Sequence, residues 1–265
     1  MITIGRYLVS LIFWTWVGIT CVLLWLVAVP VFLLTCLFDR RLRILHGFTS
    51  LWAYHYVLLC PLWRTRIEGR EKISKDRPQI LVANHQSLGD ILVLFGLFRP
   101  YKWVSKKSIF YVPFIGWNMS MNRYVGLVRG DSDSIDRMME DCRRHLRAGS
   151  SVLIFPEGTR SPDGRMRRFK QGAFALALET GCEVVPIAVS GTHDALPKHG
   201  FIFHQEKRVE IRVRVLDAMA ALPGDSVRDL RQRVQKAIGD ALQAPETVTR
   251  PGASGILRPI PEGPV

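Results

Sequence analysis

The strongest constraint on this chain is a long stretch without charged side chains near its beginning. No Asp, Glu, Lys, Arg or His occurs from Tyr7 to Phe38, a run of 32 residues. A helix needs about 20 apolar residues to cross a bilayer, so the run is longer than one crossing requires. A cleaved signal peptide fits poorly, because a lone Arg6 precedes a run that is too long and no A-x-A site follows it. The sequence predicts membrane attachment by segment 7–38, which either spans once or enters the bilayer and returns at Pro30.

A second run, residues 44–63, carries only two histidines as titratable groups. Arginines lie on both sides of it, and a segment with basic residues at both flanks is not expected to cross, since one flank would lie on the wrong side. Apolar residues recur along it at helical spacing, which predicts a helix lying in the membrane interface. The residues of that face are Leu45, Phe48, Trp52, Tyr56 and Leu59.

The overall composition narrows the class of protein. Lys and Arg number 36 against 23 Asp and Glu, a net charge of +13, which favours an anionic partner such as a lipid surface, a phosphorylated substrate or an acidic carrier protein. With 48% hydrophobic residues, most of the chain is not disordered. The five cysteines are widely separated, which excludes a disulfide scaffold or zinc ribbon and suits a reducing compartment. Nucleic acid is not an expected partner, because no binding module and no basic stretch interleaved with stacking aromatics is present.

Residues 64–244 alternate between strand and helix patterns, which predicts a layered α/β domain behind the membrane anchor. Short buried strands are predicted near 79–83, 152–155 and 184–189, and amphipathic helices at 131–146 and 227–242. Residues 245–265 are rich in proline and glycine and are predicted to form a flexible tail.

A histidine and an aspartate separated by four residues lie on a polar turn after the first of these strands. Across a strand–turn–helix corner His85 and Asp90 can meet, and the carboxylate then orients the imidazole and stabilises the imidazolium. Such a role predicts that Asp90→Asn is damaging because it selects the wrong tautomer. A lone pair at this spacing is more often a histidine that only caps the helix or satisfies backbone groups of the loop.

His85 and Asp90 belong to the sequence NHxxxxD, which begins at Asn84, and three further segments follow it. They are residues 106–116 with Arg129 beyond them, Phe155-Pro156-Glu157-Gly158-Thr159-Arg160-Ser161, and residues 184–192. In this order the four segments resemble those of the membrane-bound glycerolipid acyltransferases, in particular the bacterial 1-acyl-sn-glycerol-3-phosphate acyltransferases. The resemblance covers about residues 80–195. In the second segment, relatives commonly carry Lys-x-Glu-Leu where this chain has Lys106, Ser108 and Ile109, which leaves the exact acceptor open.

The resemblance implies a layered mixed β-sheet with flanking helices and an acyl transfer to a lipid. The donor would be acyl-CoA or acyl-carrier protein, the acceptor the sn-2 hydroxyl of 1-acylglycerol 3-phosphate (lysophosphatidic acid), and the product phosphatidic acid for phospholipid synthesis. His85 would be the general base and Asp90 its orienting group, with direct attack, since neither a GxSxG sequence nor a cysteine falls in these segments. No metal and no cofactor beyond the thioester co-substrate are expected. The expected substrate-binding residues are Lys106, Arg129, Glu157, Gly158, Thr159, Arg160 and Pro186.

Arg129 and Arg160 are expected to hold the phosphate of the acceptor by charge-assisted hydrogen bonds. Glu157 cannot hold a phosphate, so it is expected to orient Arg160 or an acceptor hydroxyl, and Pro186 to open a strand that lines the acyl or acceptor site. The alternative is a different lyso-lipid acceptor, a lysophospholipid or a lyso-ornithine lipid. A non-catalytic membrane scaffold would leave His85, Asp90 and the FPEGTRS sequence unexplained. The expected location is the inner cell membrane, with the catalytic domain on the cytoplasmic face.

Overall fold

The computed structural model describes residues 2–196, 203 and 208–244, with side chains from residue 7 onward, so the predicted tail 245–265 lies outside the described residues. The strands are β1 (Trp63–Glu68), β2 (Ile80–Ala83), β3 (Tyr101–Lys106), β4 (Val125–Leu127), β5 (Ser151–Ile154), β6 (Val184–Ser190) and β7 (Val209–Val215). The helices are α1 (Ile2–Thr35), α2 (Arg43–Leu59), α3 (Gly89–Phe95), α4 (Ile115–Met121), α5 (Ser132–Arg147), α6 (Gly172–Thr180), α7 (Thr192–Ala195) and α8 (Val227–Gln243).

The seven strands of the described residues form one mixed sheet in the order β1-β7-β6-β2-β5-β3-β4. Strands β6, β2, β5, β3 and β4 run parallel, β7 is antiparallel to β6, and β1 is parallel to β7. The predicted α/β class with a layered mixed sheet is therefore confirmed. Because five neighbouring strands are parallel, their carboxyl ends share one edge of the sheet, called here the carboxyl edge.

The central strands are apolar on both faces because helices cover both faces of the sheet. Successive residues of β2 alternate between two cores: Leu81 faces the one that includes α2 and α3, and Ile80 faces the one that includes α5, α6 and α8. Strand β7 lies nearer the edge and alternates between buried and exposed residues, as its Val/charge pattern predicts.

Helix α1 is continuous through Pro30, so the chain does not reverse there, and that alternative for segment 7–38 is wrong. A proline removes one helical hydrogen bond, but the helix continues for five residues beyond Pro30. The reversal comes instead in the turn between Thr35 and α2. Helix α1 is long and apolar enough to cross a membrane from Tyr7 to Thr35.

One side of α1 packs along the domain. Its Phe13 contacts Trp63 and Tyr56, and the Thr20 hydroxyl lies 2.8 Å from the Tyr56 hydroxyl. Further along, Trp25 contacts the Trp117 ring of α4 at a centroid distance of 5.2 Å. The other side is apolar and exposed, and its residues include Leu8, Leu11, Ile12, Ile19, Leu23, Leu26, Leu33 and Leu34.

Helix α2 presents a different face from the one assigned to the membrane interface. Leu45, Trp52 and Tyr56 are buried in the cluster that packs against α1, whereas Leu59 is exposed. The outward apolar residues of α2 are Ile44, Leu51, Leu58 and Leu59. Helical spacing shows which residues share an apolar face, but not whether protein or lipid covers that face. The helix also ends at Leu59, short of residue 63, because Pro61 disfavours helical backbone in the residue before it.

Candidate active site

The polar residues singled out in the sequence gather at the carboxyl edge of the sheet. His85 follows β2, Arg129 follows β4, and Glu157 and Arg160 follow β5. In open α/β sheets, ligands bind in the crevice outside the carboxyl ends of the strands. The topology alone therefore brings residues more than seventy positions apart in sequence to one edge.

His85 and Asp90 form the centre of this group. The His85 Nδ1 lies 2.8 Å from the Asp90 Oδ2, and both side chains are buried. Asn84 fixes the start of the turn, because its side-chain amide donates to the Val189 carbonyl at 2.8 Å and its amide oxygen accepts from the Val189 N–H at 2.8 Å. The turn that carries His85 is thus attached to the end of β6 as well as to β2.

The Asp90 carboxylate accepts several hydrogen bonds at once. Its Oδ2 accepts from the Gln86 N–H at 2.6 Å and the Ser87 N–H at 2.9 Å, in addition to His85. Its Oδ1 accepts from the Thr192 hydroxyl. These hydrogen bonds fix the orientation of the carboxylate. Because a carboxylate can only accept, the proton of neutral His85 lies on Nδ1. The Nε2 atom is then the nitrogen that can take a proton.

The FPEGTRS segment holds His85 from three sides. The Phe155 ring stacks on the imidazole with centroids 3.9 Å apart and an angle of 11°. The Glu157 Oε1 accepts from the backbone N–H of His85 at 2.7 Å, and the Ser161 N–H donates to the His85 carbonyl at 2.8 Å. The other Glu157 oxygen accepts from the Arg167 N–H at 2.9 Å. Sequence reasoning expected Glu157 to orient an arginine or an acceptor hydroxyl, but both of its oxygens accept from backbone groups.

Burial raises the pKa of Glu157 to about 7, and the nearby Asp90 charge acts in the same direction. The two backbone N–H groups oppose this rise, because they favour the charged carboxylate. Glu157 therefore titrates close to neutral pH while it supports the backbone of His85.

Two arginines, Arg129 and Arg160, lie at the same edge of the sheet, near enough for the charge of one to act on the other. Arg129 is exposed and Arg160 half-buried. The pKa of Arg129 is lowered, first by partial burial and then by the positive charge of Arg160. An anion bound between the two guanidinium groups would offset their mutual repulsion, so the pair is suited to bind an anion.

The remaining expected residues fall in different places. Gly158 adopts φ +73°, which favours glycine in the turn before Thr159 and Arg160. Lys106 is exposed at the end of β3, paired in register with Leu127. Pro186 is buried in the middle of β6 opposite Val82, within the sheet and not at its carboxyl edge.

Sequence reasoning missed Thr192 and Phe155 as parts of the site. Thr192 follows β6 at the carboxyl edge, so the rule that ligands bind at that edge could have indicated it. Phe155 lies two residues before Glu157, but nothing in the sequence indicates that its ring stacks on His85. Within the part of the chain that the structure describes, no group of three His, Cys, Asp or Glu side chains is placed to hold a metal ion.

Together, the fold and this geometry define an α/β protein with a buried histidine–carboxylate pair and two arginines at the carboxyl edge of its sheet. Comparisons with known proteins extend this. Residues 64–190 match the family model described as Acyltransferase. A chloroplastic 1-acyl-sn-glycerol-3-phosphate acyltransferase of Brassica napus is 42% identical over 197 residues, which cover 73% of this chain and 57% of that protein. A 1-acyl-sn-glycerol-3-phosphate acyltransferase of Saccharomyces cerevisiae is 32% identical over 218 residues, which cover 78% of this chain and 69% of that protein.

The chain therefore belongs to the acyltransferase family. The crystal structure of the 1-acyl-sn-glycerophosphate acyltransferase from Thermotoga maritima shares the fold, with a TM-score of 0.74 at 24% identity over 93% of this chain and 100% of that chain. The matched region spans only 57% of the Brassica napus relative and 50% of a similar chloroplastic protein of Arabidopsis thaliana.

Proposed function

We propose that the protein transfers an acyl chain from an acyl thioester to the sn-2 hydroxyl of 1-acylglycerol 3-phosphate and so forms phosphatidic acid. The observation that carries the proposal is the His85–Asp90 pair at the carboxyl edge with Arg129 and Arg160 beside it. The names of the relatives supply the acceptor, and the paired arginines are suited to its phosphate.

In the proposed reaction, the Nε2 of His85 takes the proton of the acceptor hydroxyl as the oxygen attacks the thioester carbonyl. The imidazolium that forms donates through Nδ1 to Asp90, whose charge stabilises it. When the tetrahedral intermediate breaks down, the C–S bond breaks and the leaving sulfur receives the proton from Nε2. The ester, the free thiol and neutral His85 result, so atoms and charge balance without a covalent acyl-enzyme.

The phosphate of the acceptor is proposed to lie between Arg129 and Arg160, with Lys106 at the end of the neighbouring strand as a further positive charge. A guanidinium binds phosphate through two parallel N–H bonds, which fixes both position and orientation. A lyso-lipid without a phosphate would not offer these cations the group that guanidinium recognition suits, and for this reason lysophosphatidic acid is favoured over lyso-ornithine lipid.

An activity panel tests the acceptor and the donor together. The purified full chain is offered lysophosphatidic acid, lysophosphatidylglycerol, lysophosphatidylcholine and a lyso-ornithine lipid, each with acyl-CoA and with acyl-carrier protein. His85→Ala, carried through the same panel, gives the background. We expect His85-dependent transfer to lysophosphatidic acid in preference to the other acceptors, and the better donor identifies itself. Preferred transfer to the lyso-ornithine lipid would contradict the phosphate role of the arginines.

The apolar N-terminal helix indicates membrane association. We propose the cytoplasmic face of the inner membrane, where thioester donors are made, and we propose that α1 lies along the bilayer surface. Helix α1 packs along the domain from Val9 to Val31, about 33 Å at 1.5 Å per residue, so the charged domain would have to enter the lipid if this helix crossed it.

Cysteine labelling tests this topology. Single reporters, Tyr7→Cys and Leu37→Cys, are placed at the two ends of α1 in a cysteine-free variant, since both native side chains are exposed. We expect both to resist an impermeant maleimide in intact cells and to react after lysis. Labelling of one end from outside would show that the helix spans, and labelling of both would reverse the orientation.

A further inference from the structure

A second cationic site lies at the opposite edge of the sheet from His85. A pocket opens where β3 and β5 begin, between the start of α2 and the loop that precedes β2. Five basic side chains line it: Arg41, Arg43, Lys75, Arg77 and Lys102. No Asp or Glu is among its lining residues. It shares no residue with the site at the carboxyl edge.

Lys102 makes this pocket different from an ordinary basic surface. The side chain is buried at 3% exposure, and its ammonium donates to the carbonyls of Arg41 and Asn122 at 2.9 Å each. An ammonium has three donors, and within the described residues this one forms no ion pair with a carboxylate. A lysine is almost never buried unless an opposite charge accompanies it, so the pocket lacks the expected countercharge.

The pKa values of two side chains that line the pocket are lowered, in part by nearby positive charge. The pKa of Lys102 is lowered to about 8, first by burial and then by Arg123, against a smaller opposing effect of Asp39. Burial and the Lys102 charge lower the pKa of His46, which also lines the pocket, to about 3. Glu183 approaches Arg77 only at 4.0 Å. The nearby acids therefore do not neutralise the pocket.

We propose that this pocket binds a phosphate group, as a second anion site separate from the catalytic centre. Exposed guanidinium side chains and a buried lysine line the same pocket, and these are the groups that phosphate recognition uses. The phosphate is that of a lipid headgroup or free inorganic phosphate. A lipid headgroup is the source we favour, because the exposed apolar side chains of Leu37 and Phe38 lie only three to six positions before Arg41 and Arg43 in sequence.

A thermal-shift titration with inorganic phosphate tests the site without measuring activity. All proteins carry Arg160→Ala, so that the arginines of the catalytic centre contribute less to phosphate binding. The pocket variant is Arg43→Gln with Arg77→Gln. The matched control is Arg137→Gln with Arg228→Gln, which removes the same charge from exposed positions on α5 and α8, on the other face of the sheet. Chloride at equal ionic strength replaces phosphate in the reference samples.

We expect phosphate to raise the Tm of the parent and the control, and the pocket variant to need about tenfold more phosphate or more for the same rise. Equal responses of the pocket variant and the control would overturn the proposal, as would an equal response to chloride. Both variants are exposed-surface changes, and their Tm without phosphate shows whether they fold.

Flotation with vesicles distinguishes the source of the phosphate. Vesicles of phosphatidylcholine alone are compared with vesicles that also contain phosphatidic acid. A selective loss of binding to the anionic vesicles by the pocket variant, relative to the control, identifies a lipid headgroup. A loss confined to the inorganic phosphate titration identifies free phosphate. If the pocket variant and the control respond alike to inorganic phosphate, the pocket is not a phosphate site, whatever the vesicles show.

Discussion

Asp90→Asn tests how the turn after β2 fixes the tautomer of His85. The Asp90 Oδ2 accepts from His85 and also from the backbone N–H groups of Gln86 and Ser87. An asparagine would keep its amide oxygen toward these donors, because its NH2 group would otherwise face two N–H groups that cannot turn away. The Nδ1–H tautomer of His85 is then retained. Spacing alone predicts the opposite, a switch to the wrong tautomer.

What the asparagine variant loses is therefore the negative charge. A hydrogen bond to a charged group contributes about 1.5–3 kcal/mol, and one between neutral groups about 0.5–1.5 kcal/mol. The difference, about 1–1.5 kcal/mol, corresponds to a fall in kcat of about tenfold. A switch of tautomer in a catalytic histidine costs about 10⁴-fold, as the Asp→Asn change in chymotrypsin-like proteases shows. The two explanations differ by about three orders of magnitude.

The assay is the initial rate of acyl transfer to lysophosphatidic acid at a saturating donor concentration, with thermal unfolding to verify the fold. Thr192→Val is the matched control, since it removes the hydroxyl that donates to Oδ1 but leaves the donors to Oδ2 in place. We expect both variants to keep measurable activity. A fall of about 10⁴-fold in a folded Asp90→Asn protein would refute the reasoning.

Three further outcomes follow from the site. His85→Ala should lower kcat by about 10²–10⁴-fold with little change in Tm, and a variant that keeps most of its activity would exclude the general-base role. Arg129→Ala and Arg160→Ala should each cost about 1.5–3 kcal/mol of lyso-lipid binding, seen as a raised KM for the acceptor, whereas an equal rise for the donor would indicate a damaged site. The raised pKa of Glu157, about 7 against 4.5, means that the folded state holds its proton to higher pH than the unfolded state. The free energy of unfolding should therefore fall by up to about 3 kcal/mol between pH 4.5 and pH 7 through this group, and urea unfolding of Glu157→Gln should lack that component; an unchanged pH profile in the variant would contradict it.

Local sequence patterns are most informative where a helix begins or ends at a capping residue that is adjacent to it in sequence. Helix α6 ends at Thr180 because Gly181, the next residue, adopts the left-handed conformation that closes a helix. Helix α5 starts after Asp131, whose carboxylate caps it by accepting from the Ser134 N–H. In these cases the residues that determine the structure lie within a few positions of one another.

The elements that the sequence did not reveal depend on distant contacts. Strand β3 includes Lys102, a buried charge that breaks the apolar pattern of a central strand. Three of the six residues of strand β1 are charged, so its sequence alone does not indicate a strand. It is stabilised by pairing with β7, which lies more than 140 residues further along the chain. The hydrogen bond from Thr192 to Asp90 likewise joins residues 102 positions apart. No periodicity within a local window contains such information.

The FPEGTRS segment makes contacts within the site that its sequence pattern does not predict. The family resemblance implies a substrate-binding role for four of its residues, Glu157, Gly158, Thr159 and Arg160. In the structure, Phe155, Glu157 and Ser161 all contact His85 itself, through its ring, its N–H and its carbonyl. A histidine on a turn is otherwise held only by its own strand and helix, and proton transfer needs a position fixed to fractions of an ångström. We infer that this segment serves the geometry of the base at least as much as the substrate, and that Arg160 is the member that extends from this support toward the phosphate.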